Sequence, residues 1–178
     1  LMHLLFNCFA MYYFGQVAEV TFGSVKFLLL FLLSVVGGNL LNNYVTWWQI
    51  FHNDGAPGIS AGASGGIMGI GMALLMVELL KKTLLNFPAK GGNPQLKSLA
   101  IIMGINLMYG FAVPGIDNAG HIGGALTGAV LAVGIMLGYR YSAHSNKLSF
   151  TALPWLIFAI IALIFYKLWL DLHLQIGL

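Results

Sequence analysis

The sequence predicts an all-α fold, a bundle of helices that crosses a membrane several times. Of the 178 residues, 59% are hydrophobic and only 7% are charged, whereas about 25% are charged in average soluble proteins. The apolar residues form several runs of about 20, long enough for a helix to cross the hydrocarbon of a bilayer. Because backbone groups in hydrocarbon must pair within the chain, these runs are expected to be helices.

Composition also excludes several classes of protein. The single cysteine, Cys8, excludes an intrachain disulfide. The high apolar content excludes a disordered or collagen-like chain. The few basic residues form no basic patch, so no nucleic-acid partner is expected.

Six apolar segments can be marked, separated by polar or turn-forming stretches. They cover roughly residues 1–22, 25–45, 60–80, 97–113, 117–139 and 150–172. The first apolar segment starts at residue 1, with no charged region before it and no cleavage motif after it. It therefore does not have the pattern of a signal peptide. Because the first residue is Leu1 rather than Met, we expect a preceding part of the protein to be absent from this sequence.

The basic residues predict how the bundle is oriented. Seven of the eight fall between segments one and two, three and four, or five and six: Lys26, Lys81, Lys82, Lys90, Lys97, Arg140 and Lys147. Because basic loops stay in the cytoplasm, we expect the loops around residues 83–96 and 140–149 inside. The loops around 52–58 and 114–117, which carry no Lys or Arg, are expected outside.

Three polar residues within these segments are predicted to lie at one depth. Counted from the cytoplasmic end of its own helix, each of Asn7, Ser64 and His121 lies about 24–28 Å away at 1.5 Å per residue. That level is just inside the outer boundary of a hydrocarbon core about 30 Å thick. His3 lies one turn above Asn7. Polar residues inside a membrane are functional hypotheses by default, and one shared site is the simplest interpretation.

Glycine spacing indicates that two of these helices can approach closely. Gly120, Gly124 and Gly128 recur every four residues around His121, and Gly62, Gly65, Gly66 and Gly69 surround Ser64. Small residues at such spacing let helix backbones come together in lipid. A short serine side chain needs that approach to reach an imidazole.

The residue types at this level suit nucleophilic catalysis. A neutral histidine can take the proton of a serine hydroxyl and so make it a nucleophile. The resulting oxyanion needs hydrogen-bond donors. Asn7 and His3 can supply side-chain N–H groups, and Ser64 can supply its backbone N–H if it lies in the first helical turn.

Each of these residues also has an ordinary structural interpretation. Small hydroxyl residues in membrane helices usually serve packing, and a single membrane histidine can be a hydrogen-bond partner or a proton relay. Asp117 could orient His121, but an acid at a helix start is more simply a cap. Asn118 could cap the helix or line the site. His3 could simply lie at the membrane interface.

The motifs that carry these residues resemble those of the rhomboid family of intramembrane serine proteases. The matching stretches are His3–Asn7, Glu19–Ser24, Gly62–Gly65 and Asn118–Gly124. They occur in family order and cover roughly residues 1–140. The resemblance implies a rhomboid-like helical bundle that cleaves peptide bonds with a serine–histidine dyad, without a metal, another cofactor or a third acid.

The resemblance also implies a role for each site residue. Ser64 would be the nucleophile and His121 the general base, while His3, Asn7 and the Ser64 amide would stabilise the oxyanion. Supporting positions would be Gly62, Met68 and Asn118. The implied partners are the lipid bilayer and single-span membrane proteins, cleaved near the outer face. The implied location is the bacterial inner membrane.

Three departures from the family pattern qualify this interpretation. The family's first helix and the loop after it are absent, so residues 1–140 would form a core of family helices 2 to 6. Residues 141–178 would be a linker and an extra helix. Met68 replaces an aromatic that packs on the histidine in many members, and a Met–imidazole contact could substitute.

Two functions are the alternatives to a protease. One is a non-catalytic rhomboid-like binder or adaptor, and the other is a small transporter with His121 as proton relay.

Overall fold

Six α-helices make up nearly all of the chain that the computed structural model describes, which is residues 2–53, 63–85, 94–112, 117–144 and 152–176. They are α1 (Met2–Phe22), α2 (Ser24–Asn53), α3 (Ala63–Leu85), α4 (Pro94–Ala112), α5 (Asn118–His144) and α6 (Leu153–Ile176). The described residues contain no strand. The predicted all-α fold is therefore confirmed.

Several helices extend beyond the apolar segments that predicted them. Helix α2 runs to Asn53 rather than to about residue 45, and α3 runs to Leu85 rather than to about 80. Hydropathy marks where the chain is apolar, but a helix continues through polar residues until a breaker ends it. Helix α4 starts three residues early, at Pro94, a residue type favoured at the first helical position.

Four of the helices that the structure describes are long and apolar enough to cross a membrane: α2, α3, α5 and α6. Helix α4 contains only a shorter apolar stretch, Lys97–Met108. Helix α1 is not among the four, and its polar residues include Asn7, Gln16 and Glu19.

Helices α3 and α5 form the centre of the bundle, and α2 packs against both. Helices α1 and α4 pack on α3, while α6 packs on α5 and α2. The core of fully buried side chains includes Phe14, Leu30, Ile70, Leu131 and Ile135. Because these residues come from α1, α2, α3 and α5, one core joins four of the helices.

The central helices meet backbone to backbone at glycine residues. A methyl group on Gly124 would overlap the carbonyl oxygen of Gly65, and one on Gly128 would overlap that of Gly69. From α2, a Cβ on Gly38 would lie only 2.5 Å from the carbonyl oxygen of Gly120. The predicted close approach of the two glycine-rich helices is confirmed, and α2 takes part in it.

The turn between α1 and α2 depends on Gly23. This residue has a φ of +82°, a left-handed conformation that side chains other than glycine rarely adopt. Its N–H donates to the carbonyl oxygen of Glu19 at 2.8 Å. The Ser24 hydroxyl donates to a carboxylate oxygen of Glu19 at 2.7 Å, so Glu19 has a structural partner in this turn.

Replacing Gly23 by alanine should destabilise the protein by about 1–2 kcal/mol, because a Cβ is strained in the left-handed region. Unfolding by denaturing detergent, followed by circular dichroism, measures the change. Gly15→Ala in α1 is the matched control, because its Cβ would meet ordinary contacts of 3.5 Å. An equal loss of stability in both variants would contradict the role of the turn.

At the end of the bundle that holds this turn, Lys26 joins three helices. Its ammonium nitrogen lies 5.6 Å from the ring centre of Tyr139 and 5.5 Å from that of Trp155. A cation over an aromatic ring is attracted to it at this distance. The start of α2, the end of α5 and the start of α6 therefore lie on one side, as the alternating topology predicts.

Candidate active site

Ser64 is the second residue of α3 and is buried, with 8% of its surface exposed. In the first turn of a helix, backbone N–H groups point out of the helix end and carry its partial positive charge. As the structure describes it, α3 begins at Ala63, so Ser64 meets the condition set in the sequence analysis, and the role of its backbone N–H stays a prediction. Gly62, which was predicted to support it, lies outside the described residues.

His121 is the fourth residue of α5 and is equally buried, at 8% exposure. Its backbone N–H donates to the carbonyl oxygen of Asp117 at 3.1 Å. The ring nitrogen Nδ1 is buried and has no hydrogen-bond partner within the described residues. The imidazole is therefore enclosed by the bundle without a hydrogen bond at Nδ1 to the described part of the chain.

Asp117 caps the start of α5. One carboxylate oxygen accepts a hydrogen bond from the backbone N–H of Gly120 at 2.6 Å, the geometry of an N-terminal cap. The capping interpretation of Asp117 is thus confirmed. Its carboxylate lies within electrostatic range of the His121 ring, but it does not bond to Nδ1 of that ring.

The helix ends that carry Ser64 and His121 touch each other. A Cβ on Gly65, the residue after Ser64, would lie 3.0 Å from the carbonyl oxygen of Gly120, the residue before His121. An approach this close leaves no room for a side chain between the two backbones. The structure therefore brings the serine and the histidine to the same level of neighbouring helices, as their predicted depths require.

The oxyanion candidates both lie near the start of α1. His3 is exposed and lies within electrostatic range of His121. Asn7 is half-buried one helical turn further along α1, and residues four apart lie on the same helix face. Because α1 packs on α3, this arrangement brings His3 near the histidine, while the oxyanion role of both residues stays a prediction.

Two further predicted residues lie beside the pair. Met68, one turn after Ser64, is buried in a small cluster with Met103 and Ala125, and Ala125 lies one turn after His121. Asn118 is the first residue of α5, and its side-chain oxygen is buried without a hydrogen-bond partner in the part of the chain that is described. A Met68 contact with the imidazole stays a prediction.

Sequence reasoning missed the contribution of α2. Gly38 of α2 lies against the glycines that adjoin Ser64 and His121. A Cβ on Gly65 would lie 3.8 Å from the Cα of Gly38, and Gly38 also touches the carbonyl group of Gly120. The adjacent pair Gly37–Gly38 inside an apolar segment was a usable signal, since small residues mark close helix contacts.

Among the described residues, no three His, Cys, Asp or Glu side chains cluster to hold a metal ion.

This fold and site define a class: a multi-pass helical membrane protein with a serine and a histidine at adjoining helix ends. Comparison with known proteins identifies the family. The family model described as "Rhomboid domain" matches residues 1–139. The chain belongs to the rhomboid family, as its motifs predicted.

Curated relatives include bacterial and plant proteins. Rhomboid protease AarA of Providencia stuartii is 34% identical over 151 residues, covering 76% of this chain and 51% of the relative. Rhomboid protease GluP of Bacillus subtilis is 37% identical over 135 residues, covering 76% of this chain and 24% of the relative. RHOMBOID-like protein 6, mitochondrial, of Arabidopsis thaliana is 35% identical over 131 residues, covering 74% of this chain and 38% of the relative.

The chain thus spans about half the length of AarA and less of the other two relatives. No solved structure gives a significant match. Together, the four membrane-crossing helices among the described residues and the family assignment make this an integral, multi-pass membrane protein.

Proposed function

We propose that this chain is an intramembrane serine endopeptidase that uses Ser64 as nucleophile and His121 as general base. The observation that carries the proposal is the direct contact between Gly65 and Gly120, which holds the two side chains on touching helix ends. The names of AarA and GluP as rhomboid proteases support it. A packing serine would not need a buried imidazole beside it.

The geometry suits acyl transfer in two steps. The imidazole of His121 takes the Ser64 proton while the oxygen attacks the scissile carbonyl carbon, and the tetrahedral intermediate forms. Its collapse breaks the C–N bond, and the protonated imidazole gives its proton to the leaving amine. Water then attacks the acyl-enzyme, with His121 again accepting a proton, and the collapse of this second intermediate frees the acid and restores Ser64.

The developing oxyanion would lie at the positive end of α3. The backbone N–H of Ser64 lies in the first described turn of that helix, and the side chains of His3 and Asn7 would approach from α1. Donors that are already oriented stabilise an oxyanion without reorganisation. In this mechanism Asp117 acts by capping α5 and so fixing the start of the helix that carries His121.

The expected substrates are single-span membrane proteins, cleaved near the outer face of the membrane. The site is at the N-terminal ends of α3 and α5, away from the Lys26 end of the bundle, and the distribution of basic residues predicts that side to be outside. Water can reach a site at that level. We place the protein in a bacterial inner membrane, with residues 1–140 as the catalytic core and 141–178 as a linker and extra helix.

Reaction with a fluorophosphonate tests this function. Only an activated serine should react, because the phosphonyl centre mimics the tetrahedral species that the site stabilises. We expect mass spectrometry of the detergent-purified protein to locate the label at Ser64. The labelling should increase as the pH rises and the imidazole loses its proton, because only neutral imidazole can accept one.

Two variants test which residues the labelling of Ser64 depends on. His121→Ala should lose the label because the base is gone, whereas Asp117→Asn should keep most of it because an asparagine can still cap α5. A large loss in Asp117→Asn would indicate a triad rather than a dyad. Folded protein that does not label at Ser64 would leave the non-catalytic binder as the better account.

Replacing Asn7 by alanine should lower turnover about 10²–10³-fold, the usual cost of removing one oxyanion donor. Cleavage of a single-span substrate in vesicles measures it. Asn106→Ala is the matched control, since Asn106 is exposed and bonds the Ile102 carbonyl of its own helix. If the two variants had the same turnover, Asn7 would have no part in the site.

A further inference from the structure

Helix α6 lies along α2 and α5 and packs its side chains onto glycine residues of both. On α5, a Cβ on Gly134 would lie 2.7 Å from the side chain of Ile157. On α2, a Cβ on Gly37 would lie 2.9 Å from the ring of Phe165. These two contacts are eight residues apart on α6, about 12 Å at 1.5 Å per residue. Helix α6 is therefore fitted to the other two helices along much of its length.

The contact on α2 lies at the level of the candidate active site. We call the pair Gly37–Gly38 the glycine step. Its first residue places its carbonyl oxygen 2.6 Å from a Cβ built on Gly123, and its second touches the carbonyl group of Gly120. These two positions of α5 flank His121 in the sequence. The glycine step thus supports the turn of α5 that carries the histidine, and Phe165 packs on this step.

The glycine step needs contacts from other helices to hold its position. Glycine weakens the interior of a helix because of its conformational freedom, and it has no side chain that could set how α2 is rotated against α5. Gly37 instead contacts the Phe165 ring of α6 and the Thr127 hydroxyl of α5. That hydroxyl is itself held in place, because it donates to the carbonyl oxygen of Gly123 at 2.8 Å.

We propose that α6 positions the catalytic histidine, with the Phe165 ring holding the glycine step against the turn of α5 that carries His121. This inference rests on the proposed protease function and gives the extra helix a role in it. Phe165 acts through the backbone of α2, so it is a positioning residue. Its effect belongs to the chemical step, because proton transfer from Ser64 depends on the position of the imidazole.

Replacing Phe165 by alanine tests the proposal, because it removes the ring and leaves the rest of α6 unchanged. We expect kcat for a single-span substrate in vesicles to fall by at least about tenfold, since a misplacement of about 1 Å can cost about 10²-fold in rate. KM should stay the same, because the proposed oxyanion donors are on α1 and α3. Phe165→Leu keeps part of the apolar volume and should have an intermediate kcat.

Two other variants of α6 are the controls, with kcat measured per folded molecule. Phe158→Ala removes a ring that is buried in the main core, about 10 Å along the helix from Phe165. It should weaken the packing of α6 without changing the glycine step. Leu163→Ala removes an exposed apolar side chain. Both variants should keep the wild-type kcat.

Three results would overturn the proposal. One is an equal loss of kcat in Phe158→Ala and Phe165→Ala, which would mean that α6 contributes only general stability. Another is a wild-type kcat in folded Phe165→Ala. If that variant does not fold, a wild-type kcat in Phe165→Leu is the third.

A second measurement does not require protease activity. Diethylpyrocarbonate modifies accessible imidazoles, and mass spectrometry locates each modified histidine. His121 is buried, so it should react slowly in the wild type and faster in Phe165→Ala, while the exposed His52 should react equally in both. An unchanged rate at His121 would contradict the positioning role. A wild type that neither cleaves substrate nor labels at Ser64 would contradict the proposed function, so the two can fail separately.

Discussion

Replacing Ser64 by alanine should abolish cleavage of a single-span substrate, with a fall in turnover of at least about 10⁴-fold. The variant keeps every glycine contact between α3 and α5, so the protein should fold as before and lose only its nucleophile. Cleavage in phospholipid vesicles, followed by gel analysis of the substrate fragments, measures the loss. Thr83→Ala, an exposed hydroxyl near the end of α3, is the control and should retain activity.

His121 should act together with Ser64 as one catalytic unit. His121→Ala should cost about as much as Ser64→Ala, and the double variant should lose little more, because residues that act together are not additive. His52→Ala removes an exposed imidazole that stacks on Trp48 and should leave turnover unchanged. Substantial cleavage by folded His121→Ala would remove the general base from the mechanism.

Replacing Gly124 by alanine should cause a large loss of stability. The added methyl group would overlap the carbonyl oxygen of Gly65 and lie 2.9 Å from its Cα, and backbone atoms cannot rotate away as a side chain can. Overpacking typically costs about 1–3 kcal/mol, and we expect the upper end of that range. Detergent-induced unfolding followed by circular dichroism measures the change.

The control for this variant is Gly104→Ala in α4, where a Cβ would meet nothing within 4 Å. Alanine is preferred to glycine in a helix by about 1 kcal/mol, so Gly104→Ala should be neutral or slightly stabilising. Gly124→Ala should also lower turnover, because it separates the helix ends that carry Ser64 and His121. A stable and fully active Gly124→Ala protein would contradict the backbone contact as the basis of the site.

The sequence predicts the helices, and the common level of Ser64 and His121 on neighbouring helices, well because both depend on distance along a single helix. Hydropathy identified six helices, and counting from the basic ends placed Ser64 and His121 at one level. Helix ends were less accurate: α2 continues to Asn53 because the polar residues after Val45 include no helix breaker. Depth alone also could not show which helices are neighbours.

The side-by-side arrangement of the helices could be determined only from the structure. That Gly38 of α2 touches the carbonyl of Gly120 depends on how three helices are rotated about their axes, and an apolar segment surrounded by lipid and protein has little periodicity to reveal this rotation. The cap formed by Asp117 was anticipated as one of two alternatives, because an acid at a helix start has the same sequence pattern whether it caps the helix or orients a histidine.

The glycine contacts between α3 and α5 also limit how this protein can evolve. Where side chains fill an interface, a larger residue on one helix can be compensated by a smaller one on the other. At Gly65 and Gly124 no smaller residue exists, so a substitution on one helix has no compensating partner on the other. Random mutagenesis followed by selection for cleavage should therefore yield few second-site revertants of Gly124→Ala, whereas exposed apolar positions such as Val130 should accept many replacements.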